Sequence, residues 1–213
     1  MDLYKGHFIG GHTLFPSVGF LEMGLSSGAI MSKTGIESGV ELLDVSFSNP
    51  FVLEGGCMLV SEYSFGDGMI FKSLANEPNV MTLASIGCIN ADGVDFVNAK
   101  GNPSIKDWKN SHKQIVEDVQ LRYERLAEKG FHCGAFQSVK SVWLSDDSKS
   151  ALGELCLPES WDHEHDAFYH AHPAVLDGAF QMVGYLMKML SLKSKSIESW
   201  VPAGISSLRM HRA

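Results

Sequence analysis

The sequence predicts an α+β protein in which two long buried helices are each covered by antiparallel strands. Three observations support this prediction. An apolar segment follows Pro16, strand-like segments separated by turn signals occupy 40–90, and a second mostly apolar segment lies at 172–192. A buried helix followed by an antiparallel sheet is typical of an α+β layer arrangement.

The first helix is predicted to begin at Pro16, since proline suits the first turn, where its missing N–H would have no partner. The helix has no continuous polar face, which is typical of an interior helix. Lys33, Thr34 and Gly35 predict its end. Its apolar residues are Val18, Phe20, Leu21, Met23, Leu25, Ala29 and Ile30.

Strands follow in both halves of the chain. Their composition, with Gly, Pro, Asn and Asp at the breaks, predicts an antiparallel meander with hairpins in the first half. The second helix is expected to begin near Leu176. The predicted strands are 40–47, 58–65, 69–74, 80–90, 139–144, 152–157 and 201–210.

Between the two halves, the polar segment 98–110 is punctuated by Gly and Pro and predicts a linker. Ile115, Val119, Tyr123 and Leu126 then recur at helical spacing in a charged background that ends at Gly130. This pattern predicts an amphipathic connector helix packed on the outside of the protein.

Composition excludes several classes of function. The chain has 213 residues, of which 45% are apolar and 20% charged, as in globular proteins. A net charge of −8 argues against nucleic-acid binding, and the absence of a long apolar run or a signal sequence argues against a membrane segment or secretion. Scattered cysteines without a C-x-x-C pair predict reduced thiols in a cytoplasmic protein. They are Cys57, Cys88, Cys133 and Cys156.

Two motifs carry the chemistry. His7, Gly11 and Pro16 form H-x-x-x-G-x-x-x-x-P, and Asp177 and Gln181 form D-x-x-x-Q far downstream. Together they resemble the dehydratase domains of modular polyketide synthases and animal-type fatty acid synthases. Either motif alone is a weak signal, but the ordered pair in one chain is a strong one.

A third segment departs from that family. Where its members usually carry a Tyr-Gly-Pro-Ala-Phe-like sequence, this chain has Cys133, Gly134, Ala135 and Phe136. In the family the tyrosine hydroxyl lies close to the substrate. Its replacement by Cys133 leaves slower dehydration, altered substrate geometry or a related reaction open.

The resemblance implies a double hotdog, in which two helix-in-sheet units lie side by side. We expect an N-terminal hotdog subdomain at 1–97, a linker and connector helix at 98–130, and a C-terminal hotdog subdomain at 131–213. Family members have further strands before His7 and after Arg209. The chain is therefore expected to be a trimmed fragment or to be completed by another chain.

The implied reaction is the elimination of water from a 3-hydroxyacyl thioester. It needs a base for the α-proton and an acid for the departing β-hydroxyl. The resemblance assigns His7 as the base and Asp177 as the acid, with Gln181 orienting the carboxyl group. Histidine suits the first task because its neutral form is well populated near pH 7. Residues four apart share one face of a helix, as Asp177 and Gln181 would.

The acid role sets two effects against each other. A helix N-terminus would lower the pKa of Asp177, whereas burial among apolar residues would raise it. Burial must have the larger effect if Asp177 is the acid. At the first helix, a backbone N–H near Ser17 could polarise the thioester carbonyl. The substrate-binding residues are expected to be Gly11, Pro16, Ser17, Cys133, Gly134 and Phe136.

Other residues have competing interpretations. His12 is a rival base at a non-motif position and is read as structural, and Cys133 is read as a small buried thiol. Four histidines suggest zinc, but they lack a cysteine or acidic partner at a recognised spacing, so no metal is expected. They are His163, His165, His170 and His172.

The predicted function is a dehydratase acting on a 3-hydroxyacyl chain carried by the phosphopantetheine of an acyl carrier protein. Elimination exchanges only protons and water, so no cofactor is expected. The expected partners are the carrier protein, neighbouring synthase domains and a second copy in a homodimer. A double-bond-shifting or pyran-forming relative, and a non-catalytic dehydratase-like module, remain alternatives. Chain length, branching and alkene geometry stay open.

Overall fold

A computed structural model describes residues 3–31, 39–53, 59–64, 68–73, 79–83, 85–89, 105–111, 113–115, 119–145, 150–157, 169–190 and 202–210. The helices are α1 (Ser17–Met31), α2 (Ile105–Ser111), α3 (Val119–Glu128) and α4 (Pro173–Leu190), with short 3₁₀ turns at Leu3–Gly6 and Gly134–Phe136. The strands are β1 (Phe8–Ile9), β2 (His12–Phe15), β3 (Gly39–Phe47), β4 (Phe51–Val52), β5 (Leu59–Ser64), β6 (Gly68–Ser73), β7 (Asn79–Leu83), β8 (Ser85–Ile89), β9 (Lys113–Ile115), β10 (Phe131–His132), β11 (Val139–Leu144), β12 (Ala151–Leu155) and β13 (Gly204–Met210).

The first helix-in-sheet unit is built on α1. Its sheet has the order β13-β3-β7-β6-β5, and β8 also pairs with β3. Leu21 and Leu25 of α1 are fully buried and share a core cluster with Val40, Leu42 and Val45 of β3. Burying these side chains stabilises the unit by about 1.5–3 kcal/mol each before the entropy cost of ordering them. The interior helix predicted from the apolar pattern is therefore present.

The second unit is built on α4. Its sheet has the order β12-β11-β9, and α4 packs against β11 and β12. Tyr185 of α4 shares a core cluster with Val142 and Leu144 of β11 and with Tyr123 of α3. This unit repeats the plan of the first with shorter strands.

Two sets of strand pairs join the halves of the chain. A sheet of order β10-β1-β2-β4 pairs the N-terminal β1 with β10 from the second half. The C-terminal strand β13 pairs antiparallel with β3 in the first unit. The predicted boundaries 1–97, 98–130 and 131–213 stay predictions, although β13 from the third range completes the sheet of the first.

Most predicted elements are confirmed within the described residues. The strands predicted at 40–47, 58–65, 69–74 and 139–144 correspond to β3, β5, β6 and β11. The predicted start of the second helix was wrong. The helix begins at Pro173 and not near Leu176, because proline fits the first helical position. The Nδ1 atom of His172 accepts a hydrogen bond from the N–H of Ala174 at 3.1 Å and caps this end.

The middle of the chain needed two further corrections. Part of the predicted linker 98–110 forms the short helix α2, and Ile115 lies in β9 and not in the connector helix. Pairing of β9 with β11 outweighs the helical spacing that suggested otherwise. The α3 connector is not simply external, because Tyr123 is buried. Lys33, Thr34 and Gly35 lie outside the described residues.

Candidate active site

His7 lies between the first 3₁₀ turn and β1. Its Nδ1 atom is 2.9 Å from the carbonyl oxygen of Leu14, and the N–H of Leu14 donates to the His7 carbonyl at 3.0 Å. A carbonyl oxygen can only accept, so Nδ1 carries the hydrogen of the neutral ring. The lone pair is left on Nε2, which is the atom available to remove a proton.

Strand pairing brings the His7 segment to the second half of the chain. Phe8 of β1 pairs with His132 of β10, and this register places His7 beside Cys133. The 3₁₀ turn that follows Cys133 carries Phe136, whose ring lies edge-on to the His7 imidazole with the ring centroids 5.4 Å apart.

Two glycines permit this arrangement. Gly6 and Gly134 cross so closely that a Cβ atom on Gly134 would lie 2.6 Å from the Cα of Gly6. Gly134 also has φ of +49°, a conformation that side-chain-bearing residues rarely adopt. Gly134 of the third segment therefore lets the two 3₁₀ turns cross closely, and this crossing places Phe136 against His7.

Asp177 and Gln181 face the same place from α4. The Nε2 atom of Gln181 donates to Oδ2 of Asp177 at 2.7 Å and to the Phe136 carbonyl at 3.0 Å. Asp177 also interacts electrostatically with the His7 imidazole. The structure thus brings His7, Asp177 and Gln181 together around Phe136, although they come from opposite ends of the sequence.

Burial controls the protonation of Asp177. Removal from water raises the pKa of this carboxyl, and the hydrogen bond from Gln181 and the electrostatic interaction with His7 offset this rise only in part. Asp177 is the fifth residue of α4 because the helix begins at Pro173. The helix dipole acts most strongly within the first turn, and Asp177 lies beyond that turn. The pKa direction is the one that a proton donor requires.

Tyr123 is a member of the site that the sequence analysis missed. Its hydroxyl donates to Oε1 of Gln181 at 2.8 Å and accepts from the N–H of Val139 at 3.2 Å. Burial raises the pKa of the phenol well above its usual value. Helical spacing placed Tyr123 on the apolar stripe of α3. The available signal was its polar hydroxyl on that stripe, which needs a partner when buried.

Cys133 is partly buried and in contact with two core clusters. Burial, reinforced by the nearby Asp177 carboxylate, raises the pKa of its thiol to about 11. The thiol is therefore protonated at neutral pH and is a poor nucleophile, in keeping with the expected small buried thiol.

The remaining predicted residues lie around the start of α1 and in a hairpin. Pro16 is buried and its carbonyl accepts the N–H of Gly19 at 2.9 Å, while Ser17 opens α1, where the first N–H groups have no acceptor within the helix. Gly11 is exposed in the β1–β2 turn with φ of +93°. His12 is exposed on β2. The binding roles expected for Gly11, Pro16 and Ser17 stay predictions, as does the structural role expected for His12.

The sequence analysis also missed Glu22 of α1, an acidic residue whose exposed fraction is 4%. Its carboxylate accepts hydrogen bonds from the N–H groups of His170 and Ala171 at 2.8 and 2.9 Å, and from the Ser26 hydroxyl at 2.9 Å. Glu22 thereby ties α1 to the segment that leads into α4.

Within the described residues, no group of three or more His, Cys, Asp or Glu side chains could hold a metal ion, and His163 and His165 lie outside them.

A cavity of about 320 Å³ shares Tyr123 and Val139 with the site but does not include His7 or Asp177. This cavity therefore does not lie between His7 and Asp177. No helix in the described part of the chain is long and apolar enough to cross a membrane.

Comparison with known proteins identifies the family. The family model of the polyketide synthase dehydratase N-terminal domain matches residues 102–213, more than half of the chain. This chain belongs to the polyketide synthase dehydratase family. The identification made from the His7 and Asp177 motifs is therefore confirmed.

Polyketide synthases are also its relatives by sequence. The chain is 24% identical over 212 residues to the highly reducing polyketide synthase sphB of Aspergillus fumigatus, an alignment that covers 98% of this chain and 8% of that protein. It is 26% identical over 187 residues to the pikromycin synthase component PikAII of Streptomyces venezuelae, covering 84% and 5%. The dehydratase chain thus spans less than a tenth of the length of these relatives.

Solved dehydratase structures share the fold. An inactive mutant of the CurK dehydratase superposes with a TM-score of 0.75 at 21% identity, over 99% of this chain and 72% of that one. The CurF dehydratase of the curacin polyketide synthase gives 0.74 at 23% identity, over 98% and 73%. The predicted double hotdog is confirmed.

Proposed function

We propose that this dehydratase eliminates water from a 3-hydroxyacyl chain carried on the phosphopantetheine of an acyl carrier protein, giving an α,β-unsaturated thioester. One observation carries the proposal. A histidine with its lone pair on Nε2 and a carboxyl whose pKa is raised by burial converge on Phe136 from opposite halves of the molecule.

The steps follow from these groups. Nε2 of His7 removes the α-proton, and the electron pair is delocalised into the thioester carbonyl. The N–H groups at the start of α1, near Ser17, stabilise the negative charge on the carbonyl oxygen. The electrons then form the α,β double bond as the C–O bond breaks, and the Asp177 proton leaves with the hydroxyl as water. Transfer of the proton from His7 to Asp177 restores the enzyme.

The comparisons support this assignment by residue type. In the CurK dehydratase, replacement of an aspartate by asparagine and of a histidine by phenylalanine each gives an inactive mutant. The proposed chemistry moves only protons and water, so we propose that no metal or redox cofactor takes part. A carrier protein and neighbouring synthase domains are the proposed partners, and a homodimer and a cytoplasmic location stay predictions.

The test is turnover of a 3-hydroxyacyl pantetheine thioester, followed by loss of water in the mass spectrum. His7→Ala should lower kcat about 10²- to 10⁴-fold, because the general base is lost. His12→Ala is the matched control, since His12 is an exposed histidine on the neighbouring strand, and it should turn over like the wild type. Equal activity of both variants would remove His7 from the mechanism.

A double-bond shift is the second candidate, favoured by the Cys133 replacement and by the likeness to GphF dehydratase 1, of which an isomerase-inactive variant is known. That structure superposes with a TM-score of 0.77 at 18% identity, over 99% of this chain and 70% of that one. Supplying an enoyl thioester in deuterated water separates the two reactions, because a shift exchanges the γ-hydrogens. No turnover on any chain length would favour the non-catalytic alternative.

A further inference from the structure

We infer that Tyr123 is a positioning residue for the elimination. Its hydroxyl fixes the amide of Gln181 so that the acid proton of Asp177 is held on Oδ1 and not on Oδ2. This inference rests on the proposed function, because it assigns a task to the environment of the proposed acid.

The direction of each hydrogen bond follows from its donors. The N–H of Val139 can only donate, so the Tyr123 oxygen accepts from it at 3.2 Å. The hydroxyl proton is then free to point at Oε1 of Gln181, 2.8 Å away. The bond runs between a strand, a connector helix and the helix that carries Asp177, so the orientation is set by three separate elements.

This contact decides which way the Gln181 amide faces. With Oε1 held by Tyr123, the two hydrogens of Nε2 point at Oδ2 of Asp177 and at the Phe136 carbonyl, 2.7 and 3.0 Å away. In the flipped amide, the NH₂ group would face the Tyr123 hydroxyl, and Oε1 would face the Phe136 carbonyl and Asp177.

The amide orientation in turn decides where the acid proton lies. In a neutral carboxyl, the oxygen that accepts from Gln181 is Oδ2, so the proton is on Oδ1. A flipped Gln181 would instead accept a proton from Oδ2 and sequester it in an internal hydrogen bond. Tyr123 therefore favours the arrangement that leaves the proton available to the leaving hydroxyl.

Neither Cys133 nor Tyr123 supplies a competing proton to Asp177 at neutral pH. His7, Cys133 and Tyr123 interact with it electrostatically from the β1 segment, the β10 segment and α3. Burial raises the pKa of both Cys133 and Tyr123, so that both remain protonated. Tyr123 acts through its hydrogen bond and not as an acid.

The first experiment is Tyr123→Phe, which removes one hydroxyl. We expect kcat to fall about 10- to 100-fold with little change in KM. A misplaced proton donor lowers the stabilisation of the transition state more than it lowers the binding of substrate. Tyr185→Phe is the matched control. It removes a hydroxyl from the same core cluster, and Tyr185 is not one of the bonded residues Val139, Tyr123, Gln181 and Asp177, so the variant should retain kcat.

A double mutant separates positioning from stability. If Tyr123 acts through Gln181, Tyr123→Phe should lower kcat in the wild type and have no further effect in a Gln181→Leu background. A loss that persists undiminished in that background would overturn the inference, since it would show a structural role.

A second measurement does not depend on turnover. Carbon-13 labelling of the aspartates reports the ionisation of the Asp177 carboxyl by NMR. The Gln181 hydrogen bond lowers the pKa of Asp177, so Tyr123→Phe should raise that pKa further. An unchanged titration would overturn the inference. An inactive wild type with the expected titration would instead count against the proposed function alone.

The wild type also gives a test if Tyr123→Phe does not fold. The hydroxyl proton of Tyr123 should exchange slowly with water and show a nuclear Overhauser contact to the Gln181 side chain. A rapidly exchanging hydroxyl proton would contradict the inference.

Discussion

The two long helices each bring a carboxyl group towards the other half of the molecule, but into opposite surroundings. Glu22 of α1 accepts two hydrogen bonds from backbone N–H groups and one from a hydroxyl group. Asp177 of α4 receives a hydrogen bond from Gln181, and removal from water has the largest effect on the pKa of its carboxyl. The two carboxyl groups therefore differ in the number and kind of hydrogen-bond donors around them.

The comparison assigns different tasks to the two residues. Glu22 holds the backbone at His170 and Ala171, directly before the helix that carries Asp177. Asp177 is the residue that we propose as the proton donor.

The largest expected effect is a difference in kcat between two neutral replacements. Asp177→Asn should lower kcat about 10²- to 10⁴-fold with the fold retained, because asparagine can still accept from Gln181 but has no acidic proton. Glu22→Gln should leave kcat within a few-fold of the wild type. Steady-state assays of both variants, with folding checked by circular dichroism, decide the matter. Similar losses of kcat in both variants would show that the two carboxyl groups do not differ in their tasks.

A smaller effect concerns stability. Glu22→Ala leaves two backbone N–H groups and the Ser26 hydroxyl without their acceptor, so we expect the free energy of unfolding to fall by about 2–4 kcal/mol. Urea unfolding measures it. Glu124→Ala, which removes an exposed carboxylate from α3, is the control and should change stability by under about 0.5 kcal/mol. A Glu22→Ala protein as stable as the control would show that Glu22 is not an anchor.

The smallest expected effect is a pH dependence of stability due to Asp177. Its pKa is raised in the folded state, so the folded protein binds the proton more tightly than the unfolded chain. The stabilisation is present below the unfolded pKa of about 3.9 and is lost as pH rises through the folded pKa. Relative to the wild type, Asp177→Asn should become more stable as pH rises across that window. Urea unfolding at several pH values tests this, and a constant difference would contradict the raised pKa.

Much of the site could be predicted from the sequence. Local patterns report the interior character of α1 and the strands at 40–47 and 139–144, because burial and strand pairing impose regular spacing. The motifs also selected Asp177 and Gln181, which lie four apart on one helix, so their contact is local. The start of α4 at Pro173 could have been predicted from the same proline rule, which placed the start of α1 within one residue.

The tertiary structure decided the contacts between distant segments. Residues more than 50 positions apart meet in the β1–β10 register, in the crossing of Gly6 with Gly134, in the hydrogen bond from Tyr123 to Gln181, and in the backbone hydrogen bonds from His170 and Ala171 to Glu22. Such contacts depend on how the elements pack and not on the spacing of nearby residues. The residue types of the two motifs can be read from the sequence, because each motif is a local pattern. Packing of the two halves brings His7 and Asp177 together and places the Asp177 carboxyl where burial raises its pKa.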